Sequence, residues 1–97
     1  MSYGDIDTVI LSKKTQSDLK FVPDRILRKL MAWADDVREN GISIVRMRPG
    51  FHDEPLKGKR KGQRSIRLNR AYRAIYCIDE SGTVRFIEVL EVNKHDY

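Results

Sequence analysis

Between Lys57 and Arg73 the chain carries eight basic residues and no acidic one: Lys57, Lys59, Arg60, Lys61, Arg64, Arg67, Arg70 and Arg73. Guanidinium groups grip phosphate oxygens in pairs, so a run of this kind is suited to a polyanion. It reads equally well as a solvated basic loop that keeps the chain soluble, and charge alone does not separate the two. A carboxylate, Glu54, stands just upstream, and the chain ends on Lys94-His95-Asp96-Tyr97. Taken by itself, Glu54 is a loop carboxylate balancing Lys57, and His95 is a surface histidine near a chain end. The Tyr97 ring either stacks on an unpaired base or packs on the protein as an anchor. His52, in the charged loop, reads as exposed and idle.

Other chemistries lack their residues. No Cys/His pair has metal-ligand spacing, no Gly-rich loop precedes a helix, and no Ser nucleophile motif is present. Neither a metal nor another cofactor is expected. Cys77 is the single cysteine, so no internal disulfide can form, and a reducing cytoplasm is the expected home. No apolar run approaches the roughly 20 residues that span a bilayer. Met1 to Asp5 lacks the basic region and apolar stretch of a signal peptide, and no membrane partner is expected. Ninety-seven residues, 40% of them hydrophobic, suit one domain spanning residues 1–97, and the net charge of +5 favours polyanionic partners.

The elements that must position these groups follow from pattern. Ile6 to Leu11 is short and β-branched and predicts a strand. Thr15-Gln16-Ser17-Asp18 has capping-box spacing, which predicts a short helix from there to Val22. Pro23 suits the first turn of a new helix. From Asp24 to Asn40, Ile26, Leu27, Leu30, Met31, Ala34 and Val37 form one apolar helical face, and Asn40-Gly41 stops it. Ile42 to Met47 reads as extended, and Phe51 to Gly62 as a charged loop. Arg64 to Leu68 and Ala71 to Ile78 read as strands joined by a tight turn at Asn69-Arg70. Asp79-Glu80-Ser81-Gly82 predicts a hairpin loop before a last strand, Val84 to Val92. On the first of these strands Ser65, Arg67 and Asn69 share one face, and Ile66 and Leu68 the other. Trp33, Tyr76, Phe86 and Cys77 read as core. The expected fold class is α+β in the order β-α-α-β-β-β, two N-terminal helices packed on a mainly antiparallel sheet of about four strands.

Three stretches together resemble the RelE/ParE superfamily of bacterial toxins, particularly its RelE-, YoeB- and HigB-like ribonucleases. Ser17-Asp18-Leu19-Lys20-Phe21-Val22-Pro23 with the helix after it resembles the family's helical hairpin. Glu54-Pro55-Leu56-Lys57-Gly58, Gly62 to Leu68 and Tyr72-Arg73-Ala74-Ile75-Tyr76 resemble its central strands at the usual separations. Val92-Asn93-Lys94-His95-Asp96-Tyr97 resembles its basic-aromatic tail. The likeness spans residues 6–97.

The resemblance implies a toxin held in check by an antitoxin, an endoribonuclease that cuts mRNA, with the ribosome as a further partner. Metal-free cleavage of RNA uses the 2′-hydroxyl as nucleophile; it needs a base there, cations at the phosphate and an acid at the departing 5′-oxygen. By likeness to the YoeB-like members, Glu54 is the base, Arg73 grips the phosphate with Arg67 as a second Arg, and His95 is the acid. Tyr97 matches the stacking tyrosine, although Asp96 stands between it and His95, where it could orient the histidine. Lys57, Lys59, Arg60, Lys61, Arg64, Arg67 and Lys94 are the expected RNA contacts, with Lys94, Arg64 and Lys57 held in reserve for the catalytic roles. Two other readings share the features: a ParE-like inhibitor of DNA gyrase without nuclease activity, and a basic nucleic-acid-binding module. Neither needs the base and acid pair.

Overall fold

The helix marked most clearly by the sequence anchors the molecule. A computed structural model describes residues 6–92, and in it Asp24–Asn40 form one 17-residue helix. Ile26, Leu30, Trp33, Ala34 and Val37 of that helix are buried, one stripe at three- and four-residue spacing. It stops at Gly41, whose φ of 84° suits glycine and whose N–H donates to the Val37 carbonyl at 2.8 Å.

In chain order the elements are β1 (Val9–Leu11), α1 (Lys13–Asp18), α2 (Asp24–Asn40), α3 (Ile42–Val45), β2 (Glu54–Pro55), β3 (Arg64–Arg67), β4 (Tyr72–Ile78) and β5 (Val84–Glu91). The five strands form one sheet in the order β1-β5-β4-β3-β2; β1 runs parallel to β5, and the other pairs are antiparallel. The fold is the expected α+β arrangement of helices on a mainly antiparallel sheet.

The core lies between α2 and one sheet face. Ile66, Leu68, Ala74, Tyr76, Val84, Phe86 and Val89 join the buried α2 residues there. Trp33, Tyr76 and Phe86 form its aromatic centre, with ring centroids 5.1 to 5.8 Å apart. In β5 the pairing skips Ile87, because Ile75 lies opposite Glu88 and Tyr76 opposite Phe86. That bulge rephases the strand, so Phe86 and Val89, three residues apart, both reach the core.

Several expectations are corrected. The first helix begins after Ser12 rather than at Thr15: Ser12 Oγ accepts the Thr15 N–H at 3.0 Å and Thr15 is buried inside the helix. The chain then continues as a 3₁₀ turn, Leu19–Phe21. Removing the cap by Ser12→Ala is expected to cost about 1 kcal/mol. In thermal unfolding that would read as a fall in melting temperature of roughly 4–8 °C.

Residues 42–45 are helical rather than extended, because Ile42 and Val45 at i, i+3 spacing are both fully buried against the core. The loop from Phe51 to Gly62 contains the short strand β2, which raises the strand count to five. Asn69 belongs to the turn, where its Oδ1 accepts the N–H groups of Ala71 and Tyr72, so it does not extend the strand face of Ser65 and Arg67. Cys77 is half-buried rather than a core thiol. No helix among the described residues is long and apolar enough to cross a membrane.

Candidate active site

The face of the sheet turned away from α2 collects the groups of interest. Alternation along β3 and β4 sends Ile66, Ala74 and Tyr76 to the core and leaves Ser65, Arg67, Arg73 and Ile75 on the other face. The registers Glu54↔Ser65, Ser65↔Ile75, Ile75↔Glu88 and Arg67↔Arg73 lay these residues out as a grid. Two positions 19 residues apart meet on it: Arg73 Nη2 donates to Glu54 Oε1 at 2.9 Å, with the Glu54 side chain 55% exposed. The fold thus joins the expected base to the expected phosphate-gripping arginine.

Two features set the charge and polarity of this face. Arg67 and Arg73 are directly opposite each other, and like charges in register on one sheet face repel. Glu54 offsets Arg73, whereas Arg67 is exposed and has no acidic partner among the described residues. Arg73 Nε and Ser65 Oγ are moreover buried without a hydrogen-bond partner.

The rest of the cationic run divides in two. Arg60 donates to Glu88 Oε2 at 2.5 Å and to Gln63 Oε1 at 2.9 Å, which ties the turn over Gly58–Arg60 to β5. Arg64 Nε donates at 2.6 Å to Asp53, whose side chain is fully buried. Burial opposes the Arg64 charge, but the bond to Asp53 and its negative charge outweigh that and raise the guanidinium pKa. Lys57, Lys59, Lys61 and Arg70 are exposed and have no acidic partner among the described residues. His52 is exposed, as expected, and adopts a left-handed backbone with φ 46°.

Lys94, His95 and Tyr97 lie outside the described residues. The last described residue, Val92, donates its N–H to the Ala71 carbonyl at 2.5 Å, two positions from Arg73. The residues that sequence reasoning missed are Asp53 and Tyr76 as a polar group; Ser65 shares the Arg67 face as expected, and Glu88 pairs with Arg60 rather than Arg73. The only local signal was the acidic pair Asp53-Glu54 ahead of a proline. No group of three or more His, Cys, Asp or Glu among the described residues could hold a metal ion.

No protein-family model matches the chain, and neither does any curated protein. Solved structures do. A chain of the toxin–antitoxin complex RelBE2 from Mycobacterium tuberculosis is 26% identical, with 88% of this chain and 96% of that chain covered and a TM-score of 0.64. YafQ from E. coli is 20% identical over 86% of this chain and 90% of its own, with a TM-score of 0.69. The YoeB/ParE toxin from Agrobacterium tumefaciens is 19% identical over 89% and 99% of the two chains, also at 0.69. Likeness that runs nearly end to end in both partners is likeness of the whole fold: the chain has the RelE/YoeB-like toxin fold.

Proposed function

We propose that the protein is the toxin of a toxin–antitoxin pair, an endoribonuclease that cuts mRNA on the ribosome by attack of the 2′-hydroxyl on the adjacent phosphate. The observation that carries the reading is the partly exposed Glu54–Arg73 pair, with Arg67 opposite Arg73. Glu54 takes the 2′-hydroxyl proton, Arg73 and Arg67 hold the phosphate oxygens as charge builds on them, and His95 protonates the departing 5′-oxygen. Tyr97 stacks on a base beside the scissile bond. A cognate antitoxin is the second partner, and the RelBE2 likeness, to a toxin–antitoxin complex, supports it. An acidic or amphipathic antitoxin segment suits the cationic face, with fast, salt-sensitive association.

Induced expression in a bacterium, followed by mapping of mRNA 5′ ends, tests the proposal. The expected result is arrested protein synthesis with new ends inside translated mRNA, at positions tied to the reading frame. Growth arrest with intact mRNA and accumulating DNA breaks would overturn it in favour of gyrase inhibition.

Affinity should rest on the unpaired lysines. The triple change Lys57, Lys59 and Lys61 to Ala is expected to weaken binding and flatten its salt dependence, by about 0.7 in log–log slope for each lost contact to single-stranded RNA. Arg60→Ala should alter the slope less and the stability more, because its guanidinium is engaged with Glu88 and Gln63. Equilibrium binding across a salt series checks both.

A further inference from the structure

Glu54 lies on a strand that has little to hold it. β2 is two residues long, and its second residue, Pro55, has no N–H to give to the sheet. It follows His52, whose left-handed backbone is uncommon outside glycine and carries a conformational cost. Such a segment can slip, and a slip by one residue exchanges the two faces of a strand. For β2 that slip would turn Glu54 inward and bring Asp53 out.

Asp53 opposes the slip. Its side chain is fully buried, with Oδ1 accepting from Arg64 Nε at 2.6 Å and Oδ2 from the Tyr76 hydroxyl at 2.5 Å. Arg64 is also the register partner of Pro55, so β2 is tied to one residue through both backbone pairing and side chain. Tyr76 is fully buried in the aromatic centre of the core. Burial first, then the neighbouring Asp53 carboxylate, hold the phenol pKa far above its ordinary value, which keeps the hydroxyl a donor. A well-packed apolar trio would serve stability at least as well as a buried ion pair, so stability alone does not account for it. Conformational specificity does: adjacent strand residues point to opposite faces, and locking Asp53 inward fixes Glu54 outward beside Arg73.

We propose that Asp53, gripped by Arg64 and Tyr76, is a positioning residue that sets the Glu54 carboxylate on the Arg73 side of the sheet. This inference rests on the reading of Glu54 as the base. Asp53 itself meets no substrate.

The test uses the full chain with Tyr76→Phe, which keeps the ring and removes the hydroxyl that donates to Asp53, beside Asp53→Asn. Val37→Ala, a core change on α2, serves as a destabilised control, and all are compared where each is folded. Single-turnover cleavage and equilibrium binding to ribosomes are measured together with the Arg73 side-chain N–H resonances of the free protein. Tyr76→Phe is expected to slow cleavage on the order of 10- to 100-fold, as misplacement of a reacting group does. Binding should stay within about twofold of the parent, since the loss falls on the chemical step. The Arg73 resonances should shift, Asp53→Asn should go further in each respect, and Val37→Ala should change neither rate nor resonances. A parent rate in Tyr76→Phe, or a slowed rate with unshifted Arg73 resonances, overturns the positioning role. If the parent chain cuts no RNA, the proposed function fails, and the resonances alone then decide: a shift in Tyr76→Phe but not in Val37→Ala sustains the positioning role, and no shift refutes it.

Discussion

Replacing Arg73 with Ala is expected to lower single-turnover cleavage at saturating ribosomes by about 10²- to 10³-fold, the scale of losing one preorganised donor to a developing charge. Binding should weaken too, because the same side chain meets the phosphate before the reaction begins. Three observations set the expectation apart from a general loss of positive charge. Arg73 is joined to Glu54 at 2.9 Å, so its removal also frees the base from its orienting partner. Its Nε is buried without an acceptor, and Arg67 stands opposite it in register. Removing one of two opposed guanidinium groups relieves repulsion, so the variant should remain folded. Arg73→Lys separates charge from geometry: an ammonium restores attraction but not the planar fork, so binding should recover more than rate. Cleavage of both variants at the parent rate would remove Arg73 from the chemistry.

What the sequence made legible depended on how local the determining contacts are. The long helix was readable because its stripe from Ile26 to Val37 repeats every turn and Gly41 ends it within the same stretch. Residues 42–45 were misread because Ile42, Ile44 and Val45 carry strand propensity, which burial of Ile42 and Val45 beside α2 overrides. β2 left no trace in the residue pattern, because a two-residue strand containing proline has no period to detect; only the family resemblance set Glu54-Pro55 among strands. The first cap was misplaced because two hydroxyl residues three apart, Ser12 and Thr15, are both plausible caps, and Ser12 also donates to the distant Ile87 carbonyl.

The candidate site divides in the same way. The cationic run was plain in the sequence, yet which of its members are available to a ligand depends on acids far along the chain. Arg60 is engaged by Glu88, 28 residues away, and Arg64 by Asp53, 11 residues away. Both had been grouped with the RNA contacts. Their pairing leaves Lys57, Lys59, Lys61, Arg67 and Arg70 as the cations without an acidic partner among the described residues. Part of a basic patch can thus be scaffold for the rest. Arg60 ties its turn to β5 with a bond of 2.5 Å, and Arg64 holds the residue before β2 with one of 2.6 Å.

The last expectation concerns His95, which rests on resemblance and chemical need. Cleavage expels a 5′-alkoxide, a poor leaving group unless it is protonated as the bond breaks. On the described face, Glu54 is assigned to the 2′-hydroxyl proton, and the guanidinium groups of Arg67 and Arg73 do not give up protons at neutral pH. The acid must come from elsewhere, and the resemblance assigns it to His95, which lies outside the described residues. His95→Gln keeps a hydrogen-bonding side chain but cannot transfer a proton, so binding should hold while cleavage slows by about 10²- to 10⁴-fold. A substrate in which sulfur replaces the departing 5′-oxygen sharpens the test, because a thiolate leaves without protonation. It should restore much of the rate to His95→Gln and none to Glu54→Gln, whose defect lies at the nucleophile. A parent rate in His95→Gln on the natural substrate would transfer the acid role to Lys94 or Lys57. A thio substrate that rescues neither variant would place the lost step before departure of the leaving group.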